Sequence, residues 1–485
     1  MRRVQITDTT FRDAQQCLWA TRMTTGMMLP VAERLDDAGY DAIDLMGSIQ
    51  FDVCVRYLKE NPWERIRLIR ERVKKTPLKA GLRSKSLVTF RILPDDVVHR
   101  WVELLVETGI GKLSAFDALA DLDNIVDTMK VGAKAGANVG GGLVFTESPV
   151  HTDAFYVSKL TEMMKRFPIH HLMLKDSGGL LTVDRIRTLV PALKKVLGSV
   201  PIEVHTHCMT GLGPLVCLEG VKAGADGIHA AIAPLANGPS QPAIQTLARN
   251  LRARGYEVAL EDQNIEEVSS YFEKVARQEG KPVGVPFEYD DYHFNHQLPG
   301  GMLTNLQFQL DQAGMSDKFD ALLAECVKIR EELGWPIMVT PFAQFIATQA
   351  VYNIVNGERY SVVPDEVKRY ALGHFGKLVA PVHPDILDRI VERGSKTIPL
   401  KSEPLAPALS DLRTKYPGMD DRERLLRFMF KGDQVDQMIE AKTNMQAYTL
   451  IDTPLAKLLN AMSKLPRISS VSLSGPGQRM VTWQR

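Results

Sequence analysis

Residues 171–207 read HLMLKDSGGLLTVDRIRTLVPALKKVLGSVPIEVHTH. A short apolar run, HLMLKD (171–176), leads to a segment with apolar residues near helical spacing, VDRIRTLVPALKKVLG (183–198), and then to a second short run, IEVHTH (202–207). Short apolar runs bounded by turn residues suit buried strands, and the longer periodic segment suits an amphipathic helix. The same alternation continues outward in both directions, through VQITDTTF (4–11), AIDLM (42–46), LKAGLR (78–83), KLSAF (112–116), NVGGGLVF (138–145) and GIHAAI (227–232), with helix-like stretches such as TGMMLPVAERLDDAG (25–39) between them. Eight strand–helix units predict an α/β fold, a (β/α)8 TIM barrel over residues 1–290. An open doubly wound sheet is the competing arrangement, but no G-x-G-x-x-G follows the first run.

After residue 290 the alternation stops. MSDKFDALLAECVKIREELG (315–334), TPFAQFIATQAVYNIVNG (340–357) and HPDILDRIVERG (383–394) carry helical spacing. They predict a mostly helical C-terminal domain over 291–465, with the Pro-, Ser- and Lys-rich stretch 395–411 as a connector and 466–485 as a loose tail.

The formal net charge of +1 over 485 residues gives no bulk attraction for nucleic acid or an anionic membrane. No run of about 18 apolar residues is present, so no membrane span is expected. The start, MRRVQITDTTFRD, has no apolar core of the kind a secretory signal needs. The five cysteines (17, 54, 208, 217, 326) include no C-x-x-C pair. That pattern suits a reducing compartment, hence the cytoplasm.

Catalytic groups of such barrels sit at the C-terminal ends of the strands. Polar residues fall there on strand one (Asp8, Arg12, Asp13), strand three (Arg83), strand four (Asp117), strand six (Lys175, Asp176) and strand seven (His205, His207). Side chains two apart on a strand share a face, so both histidines can reach one ion. Asp13 would add a carboxylate suited to zinc, manganese or cobalt. The bland reading is two polar histidines at a barrel rim. Lys175 fits a cation site only as a carbamate, whose oxygen is anionic; an ion pair with Asp176 or another carboxylate is the plainer alternative.

DTTFRDAQQCLWATRM (8–23), KDSGGLLT (175–182), HTHCMTG (205–211), GPSQP (238–242), HQLPGGMLTNL (296–306) and VTPFAQFIATQA (339–350) resemble the carboxyltransferase domain shared by pyruvate carboxylase, the oxaloacetate decarboxylase alpha subunit and the transcarboxylase 5S subunit. The resemblance runs in order from about residue 4 to about 460. It implies a barrel whose mouth is covered by a funnel of C-terminal helices. It also implies a divalent ion held by Asp13, carbamylated Lys175, His205 and His207. Arg83 would bind the substrate, with Arg12, Gln16 and Asp117 in the same pocket. Thr340 would shuttle a proton between biotin and the substrate methyl group, with Gln344 beside it on the biotin side. The reaction implied moves a carboxyl group between carboxybiotin and a keto acid or other enolisable carbonyl compound. No Met-Lys-Met motif occurs, so biotin is expected on a separate carrier protein, with a biotin carboxylase or decarboxylase subunit as a further partner and a homodimer as the assembly.

Several positions depart from the pyruvate-type pattern: Met46 and Ser48, then Ser84, Lys85, Ser86 and Phe90, then Ser114, Cys208 and Pro239. Losing an arginine at 114 and a tyrosine hydroxyl at 90 would remove polar anchors worth about 1–3 kcal/mol each. The expectation is an acceptor other than plain pyruvate, or one bound differently. Two other readings stay open. A barrel lyase or Claisen-type synthase resembling hydroxymethylglutaryl-CoA lyase shares Arg-Asp after strand one and His-x-His on strand seven, but leaves KDSGG, PGGMLTNL and VTP unexplained. A non-catalytic scaffold subunit is the other; the retained ligand set counts against it.

Overall fold

A computed structural model describes residues 1–299, 302–303, 306–307, 310–311, 314–441, 446, 448–449, 462, 470–473 and 481–484. The eight predicted runs become β1 (Gln5–Asp8), β2 (Ala42–Gly47), β3 (Leu78–Arg83), β4 (Lys112–Phe116), β5 (Asn138–Val144), β6 (His171–Asp176), β7 (Ile202–Thr206) and β8 (Gly227–Ala230). They pair in chain order, all parallel, and β8 closes on β1. Every residue of β2, β6 and β7 is buried. Burial on both faces is what helices outside and packed side chains inside impose on a parallel barrel. The helix Val183–Leu197 begins where the Thr182 hydroxyl accepts the Arg185 amide, and it lays Ile186, Leu189, Val190 and Leu193 on the barrel.

The glycines of NVGGGLVF have a steric reason. A Cβ on Gly140 would lie 2.3 Å from the His171 ring, and that ring fills the barrel interior against Ser114.

The helices after residue 315 build a second apolar core from Leu322, Cys326, Ile329, Phe342, Ile346, Tyr370 and Ile390, among others. Ala118 and Leu119, in the loop after β4, join it. Arg330 fastens this region to the barrel: its Nη2 donates to Thr146 Oγ1 at 3.0 Å and to the Glu147 carbonyl at 2.9 Å. The chain then returns. Leu412, Leu425, Leu426, Phe430, Val435 and Met438 pack into the barrel's own cluster. Most of the tail 466–485 lies outside the described residues. Against the expectation of a loose tail, Ser470–Leu473 and Val481–Gln484 within it pair as an antiparallel two-stranded sheet, because two β-prone runs flank Gly-Pro-Gly.

One buried network shapes the barrel mouth. Glu60 accepts the Thr25 amide at 3.0 Å, the Thr25 hydroxyl at 2.6 Å and Arg65 Nη2 at 2.7 Å. Arg65 Nη2 also donates to the Met23 carbonyl at 3.1 Å. This holds the preceding loop, where Ala20 (φ 48°) and Thr21 (φ 62°) occupy the costly left-handed region. Replacing Glu60 by Ala strands a fully buried guanidinium. We expect a loss of about 3–5 kcal/mol in chemical denaturation.

Candidate active site

Asp13 sits in the wide helical turn Thr10–Ala14 that follows β1. Its Oδ2 lies 2.8 Å from His205 Nε2 and 3.2 Å from His207 Nε2. Donor atoms of these three buried residues all lie within 4.8 Å of one another, an arrangement that could hold a metal ion. His207 Nδ1 donates to the Pro239 carbonyl at 2.7 Å, which leaves Nε2 as the ring nitrogen that faces the cluster. Lys175 Nζ borders the cluster, 3.4 Å from His205 Nε2 and 3.9 Å from Asp13 Oδ2. Strand register sets this up, because Lys175 pairs with His205 across β6 and β7. The Lys175–Asp176 ion pair is not formed; the carboxylate that faces Lys175 is Asp13. Asp176 points the other way and accepts the Leu180 and Leu181 amides and the Thr206 hydroxyl.

The electrostatics follow from burial and from Arg12. Arg12 donates Nη1 to Asp13 and Nε to Asp44, both at 2.9 Å. Burial raises the Asp13 pKa, but Arg12, then Lys175 and His207, hold it well below the usual carboxylate range. Burial lowers the pKa of Lys175 and of His205. A lysine so placed presents more of its neutral amine, the form that adds CO2. At His207 burial is outweighed by Cys17 and Asp13, which raise it to about 10, so an incoming cation would displace a proton there. A carboxylate, two imidazoles and a buried amine suit a divalent ion of the zinc, manganese or cobalt type.

The cluster opens into a cavity of about 2100 Å³ between the barrel mouth and the C-terminal helices. Arg12, Asp13, Gln16, Arg83, Lys175 and His207 line its barrel side, and Thr340 and Gln344 line its helical side. Gln344 Nε2 donates to Thr340 Oγ1 at 2.9 Å, which frees the Thr340 hydroxyl proton for another acceptor. Five lining atoms are buried and find no partner among the described residues: Arg83 Nε, Gln50 Oε1, Ser177 Oγ, Gln344 Oε1 and His374 Nε2. Unsatisfied polar atoms around an open volume mark a place where a polar ligand binds.

Residues 294–465 match a family described as a conserved carboxylase domain, and residues 105–271 match the HMGL-like family. The chain is 41% identical over 406 residues to a pyruvate carboxylase subunit of Methanocaldococcus jannaschii, covering 83% of this chain and 71% of that one. This chain belongs to the carboxyltransferase family of biotin-dependent enzymes. It is also 33% identical over 404 residues to the methylmalonyl-CoA carboxyltransferase 5S subunit of Propionibacterium freudenreichii subsp. shermanii, covering 83% and 79%. The carboxyl transferase domain of Rhizobium etli pyruvate carboxylase, solved with oxamate and biotin, superposes with a TM-score of 0.82 at 25% identity, covering 91% of this chain and 78% of that one. The HMGL-like match stays within the barrel, while the carboxylase-domain match takes in the helices that a barrel lyase leaves unexplained.

Not every expected residue reaches the carboxyltransferase cavity. Asp117 does not line it. Its Oδ1 accepts the Leu119 and Asp121 amides and its Oδ2 the Asn124 amide group, so it builds the loop that presents Asn124 to the cavity. Burial raises its pKa to about 6. Ser114 does not line the cavity either. It points into the barrel interior and bonds His171 Nε2 at 2.8 Å. Met46 and Cys208 are buried away from the cavity, and of the departures only Ser48, Lys85, Phe90 and Pro239 line it. The physical reason is the strand period: Lys112, Ser114 and Phe116 share the inward face of β4, and only the last stands at the mouth.

Two contributors went unassigned in the sequence. Gln241, inside the quoted GPSQP, brings Nε2 to 3.0 Å from Asp13 Oδ2 and 2.9 Å from His207 Nε2. Asp52 lines the cavity, paired with Arg56 at 2.9 Å. Its only signal was its place in SIQFD after β2.

Proposed function

We propose that this carboxyltransferase moves a carboxyl group between carboxybiotin on a separate carrier protein and a small 2-keto acid of the pyruvate–oxaloacetate kind. The observation that carries the reading is that Asp13, His207 and Lys175, clustered with the buried His205 behind them, line the same cavity that Thr340 and Gln344 line. Residues 1–290 serve as the catalytic barrel and the helices between 315 and 393 as the funnel for the biotin arm, while 409–438 pack back on the barrel. Asp13, His205, His207 and a carbamylated Lys175 would hold a divalent ion, which supplies Lewis-acid stabilisation of negative charge on the substrate oxygens.

The remaining steps belong to side chains. Arg83 binds the keto-acid carboxylate through its unpaired Nε–H. Burial pushes its pKa down to about 10, which leaves it charged at neutral pH. Gln16, joined to Gln50 at 3.3 Å, orients the carbonyl end together with Arg12. The Thr340 hydroxyl takes a proton from the substrate methyl group and passes one to the biotin ring nitrogen, which is basic once CO2 has left. Gln344 Oε1 accepts from the biotin ureido N–H. The cavity keeps CO2 beside the carbon nucleophile.

The departures from the pyruvate-type pattern weigh less than the sequence suggested, because Ser114, Met46 and Cys208 lie outside the cavity. Phe90 stays relevant: its ring lies 5.2 Å from the Arg83 guanidinium carbon. The five free cysteines support a reducing compartment, and no helix among the described residues is long and apolar enough to cross a membrane. On this reading the enzyme works in the cytoplasm as a homodimer with a biotin carboxylase or decarboxylase subunit.

The test is carboxyl transfer and oxaloacetate decarboxylation by the purified chain with a biotinylated carrier, run against pyruvate, oxaloacetate and larger keto acids. Turnover that requires both biotin and a keto acid is expected; none with any of them overturns the proposal. Arg83→Gln is expected to lower kcat/KM by about 10–100-fold, chiefly through KM, since a charge-assisted hydrogen bond is lost.

A further inference from the structure

A histidine that offers one ring nitrogen to a metal needs its other nitrogen occupied. His207 meets this need through the Pro239 carbonyl. His205 meets it differently. Its Nδ1 faces the Nδ1 of a second ring, His229, at 2.9 Å, with the ring planes 88° apart. On its far side His229 Nε2 lies 3.0 Å from Glu203 Oε2. Glu203 is buried deep in the barrel between Lys112 and Lys79, whose Nζ is 3.6 Å away. Register places the group: Val204 pairs with Ile228, so His229 stands one step on, beside His205.

The donor and acceptor inventory gives this chain of groups a direction. A carboxylate only accepts, so the His229 ring proton sits on Nε2 and its Nδ1 offers a lone pair. Lys79 Nζ also lies 3.3 Å from His229 Nε2. His205 then donates through Nδ1–H. With a cation bound, its Nε2 turns a lone pair to the point where Asp13 Oδ2 and His207 Nε2 converge; without one, Asp13 Oδ2 at 2.8 Å would draw a proton onto Nε2.

We infer that Glu203 and His229 are positioning residues that hold His205 with Nδ1 as proton donor and Nε2 as a free metal ligand. The inference rests on the metal reading of the Asp13 cluster. Neither residue lines the cavity, so neither touches the substrate.

The experiment measures zinc affinity of the chelator-stripped chain by competition with a chromogenic chelator, for wild type, His229→Asn and His229→Leu. Asparagine places Oδ1 near the position of Nδ1 and still accepts; leucine has similar volume and cannot. His229→Asn is expected within about threefold of wild type, and His229→Leu weaker by about 10–100-fold. Equal affinities for the two variants, both strong or both weak, overturn the inference. If circular dichroism shows His229→Leu unfolded, the zinc-loaded wild type labelled with 15N-histidine decides. A slowly exchanging His205 Nδ1–H supports the inference, and a rapidly exchanging one overturns it. A wild-type chain that binds no zinc removes the metal reading and this inference together. Wild-type binding with an unaffected leucine variant removes this inference alone.

Discussion

Replacing Asp13 by Asn is expected to reduce carboxyl transfer by about 10³-fold or more and to empty the chain of tightly bound divalent metal. Asp13 Oδ2 is the common point of the cluster, within 3.2 Å of both histidines and 3.9 Å of Lys175 Nζ. Without its negative charge, the site loses one ligand oxygen and the charge that offsets Arg12. The substitution conserves volume, and Arg12 keeps its second partner, Asp44, at 2.9 Å. The fold is therefore expected to survive, with a thermal midpoint near that of wild type. Elemental analysis of the purified variant and its steady-state rate with the biotinylated carrier check both parts. A variant within tenfold of wild type, or one that still holds a full equivalent of metal, refutes this role for Asp13.

Thr340→Ala is expected to lower transfer by about 10²–10⁴-fold, the range a positioned proton-transfer group supplies, with metal content unchanged. Thr340→Ser keeps the hydroxyl and is expected to stay within about tenfold of wild type. The stability cost of the alanine is small, on the order of 1 kcal/mol, because the lost bond joins two partly exposed side chains. The pair of variants separates the two sides of the cavity. Asp13→Asn removes metal and rate together, while Thr340→Ala removes rate alone. If the alanine and serine variants are equally active, the hydroxyl carries no proton.

Much of this was legible in the chain. Each of the eight runs became a strand because short apolar segments between turn residues have few other ways to bury themselves. His205 and His207 shared a face because strand side chains alternate. What failed was depth. Ser114 follows the same alternation as Phe116, yet the two end up in different layers of the barrel. Asp117 fell at a strand end, but its carboxylate caps the amides of its own loop. Gln241 was in view within GPSQP without a role, since nothing local says that its amide reaches across to Asp13.

Strand period, turn chemistry and apolar burial are properties of neighbouring residues, so the barrel, the helical region after it and the pairing of the two histidines could be read from the chain alone. Register, depth and closure depend on how distant strands slide against one another. Only closure of β8 onto β1 and the pairing of Lys175 with His205 set four ligand-type groups around one point and stood His229 and Glu203 behind them. A stagger of one residue would turn these side chains to the opposite face, and no local pattern of the chain forbids it.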